Sequence, residues 1–397
     1  MQFKVKFLLI LIIAGTISSC KQIYNPPAIS SPNTYLVVEG VINSGSDATI
    51  IKLSNTVNLA SKVSVSPLLH AIVSVQGDQN VSYPLIEIGN GKYYTSNLNL
   101  DNSHKYRLII ITPNSKSYYS DYVPVLDSPP IDSVFFKLNG NNVVINSATH
   151  DATNTVQFYR WDFNETWIIH SAFFSYFKSD GTKITFRNLI DDNVYQCWSS
   201  DTSNSIVINS TSKLKQAVIT NNIITTVDKN SPKVVHKYSI LVNQYALTGD
   251  AYKFWTNLKS NTEQLGSIFD AQPTQLIGNI HSTTNPNEPV IGYISVGKVS
   301  TKRIFIDNQQ IPFTNYREGE ECVLDTFLYK YVSPGGKTAV NQVDEYINYK
   351  IGGNYPPYIP VLPISIPGGA VLGYSASTSD CTDCTLRGTN IQPSYWK

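Results

Sequence analysis

A cysteine at position 20 ends a stretch whose composition predicts export and lipid attachment. Lys4 and Lys6 give the stretch a positive start, residues 7–14 are an unbroken apolar run, and Ile17-Ser-Ser-Cys20 closes it with small residues before the thiol. The apolar run is shorter than the roughly 20 residues that span a bilayer, so it predicts a cleaved signal peptide over residues 1–19. The ending resembles a lipobox, which makes Cys20 the lipidated first residue of the mature chain. The alternative is an ordinary cleaved signal in which Cys20 has no such role.

The other four cysteines are Cys197, Cys322, Cys381 and Cys384. In an exported chain this even number predicts two disulfides, and the sequence leaves all three connectivities open. We favour Cys381–Cys384 together with Cys197–Cys322. A four-cysteine zinc site is one alternative, but such sites usually contain two close pairs and this chain has one. A thioredoxin-like redox pair would need Cys381 at a strand-to-helix turn, whereas it lies in a tail rich in Ser, Thr and Gly.

Catalytic and metal-binding signatures are incomplete. Gly373-Tyr-Ser-Ala-Ser377 approaches the nucleophile-elbow pattern around Ser375, but a serine replaces the final glycine and no histidine follows it in the chain. None of the six histidines is four residues from another, and no Cys/His cluster has ligand spacing. Asp191-Asp192 lacks the spacing of a calcium loop. The sequence therefore predicts no catalytic residue, no metal site and no cofactor.

Aromatic residues are the remaining candidates for binding, because exposed Trp and Tyr side chains stack on sugar faces or anchor protein interfaces. They crowd one segment, as Trp167, Phe173, Phe174, Tyr176 and Phe177. The alternative is that alternate members fill the core of a sheet. Adjacent strand residues point to opposite faces, so one of Phe173 and Phe174 is expected outside the core. This segment is the predicted contact surface.

The elements that position these residues are mostly β-strands. Residues 34–126 predict an immunoglobulin-like β-sandwich, because short strands alternate with turn residues every 8–12 positions and no helix intervenes. Its strands are predicted at residues 35–42, 48–53, 71–76, 83–88, 93–94, 106–112 and 118–123. Pro124, Pro129 and Pro130 then predict a boundary near Asp127.

Residues 127–397 predict a larger β-rich domain that carries one docked helix and ends in a cysteine-containing tail. Its strands are predicted at residues 131–138, 143–145, 155–163, 183–187, 206–208, 234–247, 290–296 and 303–306. The helix is predicted near residues 248–265, capped by Thr248. Its apolar stripe, which predicts docking onto a sheet, comprises Ala251, Phe254, Trp255, Leu258 and Leu265. Five prolines make the tail from Asn354 onward loop-like.

The amino-acid composition indicates a folded protein that does not bind nucleic acid. Hydrophobic residues make up 42%, enough for a sizeable core, and charged residues only 15%, below the roughly 25% of an average soluble domain. Removal of residues 1–19 leaves 28 basic and 29 acidic residues. This balance does not attract phosphate backbones, so nucleic-acid binding is not expected. Residues 20–33 are polar and contain three prolines, which predicts a lipidated linker.

The chain resembles the Bacteroidetes lipoproteins grouped as domain of unknown function 4249. The matching segments run through nearly its whole length: Tyr35–Gly40, Gly91–Thr95, Ala251–Trp255, Gly266–Asp270, Gly278–Ile280, Val290–Tyr293, Cys381–Asn390, Pro393 and Trp396. The resemblance implies a lipid-anchored, extracytoplasmic protein of the outer membrane or cell surface. It also implies a TonB-dependent transporter as a partner, because genes of this family often lie beside those of such transporters. It implies no functional residue, because the family has none assigned.

The expected function is that of a non-enzymatic accessory or binding protein, working with an outer-membrane transporter. A structural or adhesive surface protein is the first alternative, and it would present a flat exterior without a concave pocket. A hydrolase of surface glycans or peptides is the second, and it would need catalytic side chains converging in one cleft.

Overall fold

The computed structural model describes residues 34–57, 66–263, 276–312, 315–348 and 358–397. The predicted signal peptide, the predicted lipidation site Cys20 and the predicted linker up to residue 33 lie outside the described residues, as does Leu265 at the end of the predicted helix. In the described ranges the chain is mostly β-strand, which confirms the predicted fold class.

The strands before residue 127 are β1 Leu36–Ile42, β2 Thr49–Asn55, β3 Ser66–Pro67, β4 Ile72–Gly77, β5 Ser82–Glu87, β6 Lys92–Thr95, β7 Lys105–Ile111, β8 Ser117–Ser120 and β9 Val123–Pro124. Those before the helix are β10 Ile131–Asn139, β11 Asn142–Asp151, β12 Phe158–His170, β13 Phe177–Ser179, β14 Ile184–Phe186, β15 Gln196–Thr202, β16 Val207–Ser210, β17 Ala217–Asp228 and β18 Lys237–Leu247. The α-helices are α1 Gly249–Glu263 and the single turn α2 Ser379–Thr382. The late strands are β19 Ile280–Ser282, β20 Val290–Ile291, β21 Ser295–Val296, β22 Ser300–Asp307, β23 Asp325–Leu328, β24 Tyr358–Ser365 and β25 Val371–Thr378. Short 3₁₀ segments occupy Pro232–Val234, Asn308–Gln310 and Cys384–Leu386, and a π-helical turn occupies Val343–Ile347.

Strands β1 to β9 belong to one continuous sheet folded around a single core. Strand β5 joins its two halves, because it pairs with β4 on one side and with β6 on the other. Side chains from both halves, such as Ile51 and Ile110, are fully buried in the same core. Alternation along β1 sends Leu36 and Val38 into this core and leaves Val37 on the opposite face. The immunoglobulin-like topology within this β-rich unit stays a prediction.

Residues 276–296 complete this sheet from much later in the chain. Strand β19 pairs antiparallel with β8, and β20 and β21 pair parallel with β1. The buried amide of Asn279 donates to the carbonyl of Ile294 over 2.9 Å and accepts from its N–H over 2.8 Å. At Gly292 the backbone lies so close to β1 that a Cβ would sit 2.2 Å from the carbonyl oxygen of Val38. Residues 34–126 therefore do not build the N-terminal unit alone.

Asp127, at the predicted boundary, connects the first sheet to the segment around Lys298 by hydrogen bonds. Its carboxylate accepts from the Ser44 hydroxyl over 2.7 Å and from the backbone N–H of Lys298 over 2.8 Å. Burial raises the pKa of Asp127, but these hydrogen bonds and the charge of Lys298 outweigh burial, so the net pKa lies below its usual value. The carboxylate thus links the two segments as an anion.

Strand β12 is the centre of the second unit. It pairs antiparallel with β18 along most of its length and with β15 and β16 on its other side, and β22 pairs with the far edge of β18. The separate sheet β10–β11–β17 packs against it, since Val143 and Ile145 share one buried core with Trp161 and Tyr238. This core anchors the strands that hold the candidate sites.

Helix α1 follows β18 directly, and its start confirms the prediction. The Thr248 hydroxyl accepts from the N–H of Ala251 over 3.2 Å, which satisfies one of the free donors at the helix start. Ala251 and Phe254 are buried, and Phe158 on β12 contacts the helix through Tyr252 with ring centroids 4.8 Å apart. The helix thus docks on the second sheet, as expected. No helix among the described residues is long and apolar enough to cross a membrane.

The tail differs from the prediction of a loop. Residues 358–365 and 371–378 form strands β24 and β25, which pair with β23 in a three-stranded sheet. Pro360 and Pro363 lie in β24, which is the edge of that sheet. An edge strand tolerates proline because one side of its backbone needs no hydrogen-bond donor. The prolines of the tail therefore do not exclude a strand, and the prediction of a loop at residues 358–365 was wrong.

All four cysteines that were predicted to form disulfides do so, but the connectivity that we favoured is wrong. The pairs are Cys197–Cys384 and Cys322–Cys381, with Cα atoms 5.7 and 5.8 Å apart. The chain turns between Cys381 and Cys384 and presents them to different elements. The N–H of Cys384 donates to the carbonyl of Val194, which places Cys384 beside β15, whereas the carbonyl of Cys381 accepts from Phe173. Closeness in sequence therefore does not pair them.

Candidate functional site

A cleft of about 570 Å³ lies where the first sheet, the second sheet and helix α1 meet. This volume is within the range of small-molecule sites, which often form at such junctions. Most of its walls are apolar or aromatic. The lining residues are Val37, Val38, Glu39, Gly40, Val41, Asn43, Ala48, Ile50, Arg160, Asp162, Tyr245, Phe254, Trp255, Leu258, Ile291, Gly292, Tyr293 and Val299.

Strand alternation decides which residues face the cleft. On β1 the core takes Leu36 and Val38, so Val37 and Glu39 line the opposite, outer face. On β12 the core takes Tyr159 and Trp161, so Arg160 and Asp162 face outward. The outer faces of both strands therefore line the cleft, together with residues of α1.

Arg160 is the centre of the polar part of the cleft. Its guanidinium carbon lies 4.1 Å from the ring centroid of Tyr245, its cross-strand neighbour on β18, and 4.5 Å from that of Trp255 on α1. An Nη1–Oδ2 distance of 3.2 Å joins it to Asp162. Only 14% of the Arg160 side chain is exposed. Two aromatic faces and one carboxylate thus fix the orientation of the cation.

The partners of Arg160 are themselves held in place. Asp162 accepts from the side-chain amide of Asn243 over 2.7 Å. Burial, followed by the negative charge of Asp162, raises the pKa of Tyr245 well above its ordinary value. A hydrogen bond to Asp162 contributes to this shift, so the Tyr245 hydroxyl is already engaged with that carboxylate. At the rim Glu39 pairs with Lys52 at 2.8 Å, so the charges around the opening balance.

The lining combines a mainly apolar wall with a few polar side chains. A mainly apolar wall with a few converging polar groups is the usual composition of a ligand pocket. Among the described residues that line the cleft there is no histidine, cysteine or serine to act as a base or nucleophile. Its two carboxylates, Glu39 and Asp162, are each engaged in an ion pair.

The predicted aromatic contact surface is placed differently. Trp167 and Phe177 are buried, so predicting them as surface contacts was wrong: Trp167 lies in the core of the second unit, and Phe177 packs on Tyr374. Phe173 and Phe174 are both half-buried, because β12 ends at His170 and strand alternation no longer applies to them. Tyr176, at 44% exposure, is the exposed member of the five. None of the five lines the cleft.

Sequence reasoning missed Arg160, Asp162 and Tyr245. Trp255 was found, but as part of a stripe that docks the helix, and its half-buried ring also lines the cleft. The signal that was present is the spacing Arg160-x-Asp162 on a strand, which places opposite charges on one face.

Comparison with known proteins identifies the family of the chain but not its function. No curated protein matches the chain. The model of one family, described as Domain of unknown function (DUF4249), matches residues 21–303, which is more than half of the chain and includes every residue lining the cleft. On that match, this chain belongs to the DUF4249 family.

Proposed function

We propose that this protein is an extracytoplasmic, lipid-anchored binding protein without enzymatic activity, and that its cleft captures a saccharide. The observation that carries the proposal is the seating of Arg160 against Tyr245 and Trp255 in a cleft of ligand size. The two disulfides fit an oxidising compartment outside the cytoplasm. Attachment through Cys20 is part of the proposal.

A saccharide fits the chemistry of the walls. A sugar ring has an apolar face of C–H groups and a rim of hydroxyls that both donate and accept hydrogen bonds. Trp255 and the aliphatic side chains offer apolar area to the ring face. Arg160 supplies donors, because its guanidinium has more N–H groups than its contact with Asp162 uses, and the carboxylate oxygens of Asp162 supply acceptors. The balanced charge of the cleft favours a neutral ligand over a strongly anionic or cationic one.

Replacing Trp255 with alanine is expected to weaken saccharide binding at least tenfold. Loss of the aromatic wall and of its contact with Arg160 corresponds to about 1.5 kcal/mol. The measurement is a glycan-array screen with the wild-type protein, followed by titration calorimetry of each retained saccharide against both proteins. Unchanged far-UV circular dichroism would show that the variant is folded.

Tyr176→Ala is the matched control, because it removes an exposed aromatic ring outside the cleft. It is expected to bind as the wild type does. Loss of binding in Tyr176→Ala but not in Trp255→Ala would transfer the site to the aromatic segment. If the wild-type protein retained no saccharide on the array, the proposal of a saccharide ligand would be rejected.

The partner that we propose is a TonB-dependent outer-membrane transporter, which would take over the captured ligand. Purification of the tagged protein from outer membranes in mild detergent is expected to recover such a transporter in near-equal amount, detected by mass spectrometry. Elution of the protein alone would count against the partnership and leave the binding role standing.

A further inference from the structure

Two imidazoles and a carboxylate converge at the end of the second sheet that lies away from the residues of the cleft. His170 ends β12, His236 immediately precedes β18, and Glu318 belongs to the segment 315–322. One ligand atom of each side chain lies within 4.8 Å of the other two. The ring centroids of the two histidines are 4.0 Å apart, and His236 Nε2 lies 2.8 Å from Glu318 Oε2.

The fold fixes these positions by several independent contacts. The backbone N–H of His170 donates to Glu318 Oε1 over 3.0 Å, and the backbone carbonyl of His170 accepts from Arg387 over 3.0 Å. Gly319 packs against Ala172 so closely that a Cβ at this position, where φ is +73°, would sit 2.2 Å from the Ala172 Cβ. The carboxylate is therefore held against the end of β12 by the backbone that follows it.

A disulfide closes the same segment. Cys322 is bonded to Cys381, and the carbonyl of Cys381 accepts from the N–H of Phe173, three residues after His170. The disulfide thus attaches the loop that provides Glu318 to α2, and a backbone hydrogen bond attaches α2 to the chain just after His170. A site built from distant parts of the chain is held together before any ligand arrives.

Neighbouring side chains orient the His170 ring, and the cluster stays accessible from solvent. Tyr195 stacks on His170 at 4.7 Å between centroids and 14° between planes, and Gln196 Oε1 lies 3.3 Å from His170 Nε2. Such outer contacts fix ring orientation in metal sites. The side chain of His236 is 26% exposed, so an ion and a water molecule can reach the cluster from solvent.

We propose that His170, His236 and Glu318 bind a divalent transition-metal ion, with Zn²⁺ as the preferred ion. Two imidazoles and one carboxylate form the three-ligand set of zinc sites that keep a fourth position for water. The ligands of Zn²⁺ at 2.0–2.2 Å lie roughly 3.3 Å from one another in tetrahedral geometry, so side-chain shifts of about 1 Å would close the cluster around it. The ion would replace the hydrogen bond between His236 and Glu318 and clamp segment 315–322 to both strands.

The test uses the mature chain without a polyhistidine tag, stripped with a chelator under non-reducing conditions and titrated with ZnCl₂ in a calorimeter. One equivalent of Zn²⁺ is expected to bind and to raise the thermal unfolding midpoint, since an ion that binds only the folded state stabilises it. His236→Ala is expected to weaken binding at least about 100-fold, because losing a ligand exceeds the loss from removing an outer contact. Co²⁺ substitution gives a second readout, as visible absorption bands of a four-coordinate ion.

His150→Ala is the matched control, because His150 also pairs with a carboxylate, Asp132 at 2.8 Å, but has no third ligand beside it among the described residues. It is expected to leave Zn²⁺ binding unchanged. Glu318→Gln is a second test variant, needed if His236→Ala fails to fold, because it keeps the side-chain volume. It is also expected to weaken Zn²⁺ binding. Absence of saturable binding to the wild type, or equal affinity in His236→Ala, Glu318→Gln and the wild type, would overturn the proposal.

Discussion

Unfolding at a markedly lower urea concentration is expected when Cys197 and Cys384 are both replaced by alanine. The disulfide between them joins residues 187 positions apart and is fully buried. Closing a loop of this length removes enough conformational freedom from the unfolded chain to stabilise the fold by about 5 kcal/mol. We expect the free energy of unfolding to fall by about 4–5 kcal/mol, measured by urea denaturation monitored through tryptophan fluorescence.

The matched comparison is the double alanine variant of Cys322 and Cys381, which are 59 positions apart. Its loop is shorter, so its expected loss is about 4 kcal/mol. It should additionally weaken Zn²⁺ binding, whereas the Cys197/Cys384 variant should not. A urea midpoint unchanged from that of the wild type in the Cys197/Cys384 variant would contradict the assigned connectivity.

Replacement of Glu165 with alanine has the next largest expected effect, a loss of about 3–5 kcal/mol in the free energy of unfolding. Glu165 is only 4% exposed in the core of the second unit. It forms an ion pair with Lys233 and accepts from the Tyr238 hydroxyl over 2.7 Å. Its loss leaves Lys233 without its closest counter-charge and the buried hydroxyl without its acceptor. Thermal and urea unfolding of the purified variant measure the loss.

Two variants separate the parts of this effect. Tyr238→Phe removes only the hydroxyl and is expected to cost about 1–2 kcal/mol, since the carboxylate keeps its ion pair. Asp201→Asn removes the exposed second partner of Lys233, at 3.5 Å, and is expected to cost less than about 1 kcal/mol. If Glu165→Ala destabilised the protein no more than Asp201→Asn, the buried ion pair would not be a main source of stability.

Local patterns were sufficient to predict most of the strands and the helix. Alternation marks β1, β4 and β7 because each has one face in the first core and one outside it. Strand β17 was missed, since Asn221 and Asn222 interrupt its pattern where a register shift occurs against β11. Strand β15 was missed because most of its residues after Trp198 are polar and exposed.

The sites depend on distances in space that no local pattern encodes. Arg160 meets Tyr245 only because β12 and β18 are neighbours in a particular register, and it meets Trp255 only because α1 folds back over β12. The spacing of His236 and Glu318, 82 residues apart, likewise resembles no ligand motif. Disulfide connectivity has the same origin, since it reports which elements are adjacent after folding. Sequence periodicity predicts the faces of single elements, and the pairing of elements decides what those faces bring together.

The first sheet is completed by strands that are synthesised late. Strand β1 pairs in parallel with β20 and β21, which are synthesised only after residues 43–289. At 5–20 residues per second this takes roughly 12–50 s, during which one edge of β1 has no neighbour. An unpaired strand edge is a template for association with other chains. Cys197 likewise has no disulfide partner until Cys384 has been synthesised, so an unpaired thiol and an unpaired strand edge are present in the chain over the same interval. Binding factors that cover strand edges and catalysts of thiol oxidation would act in that interval.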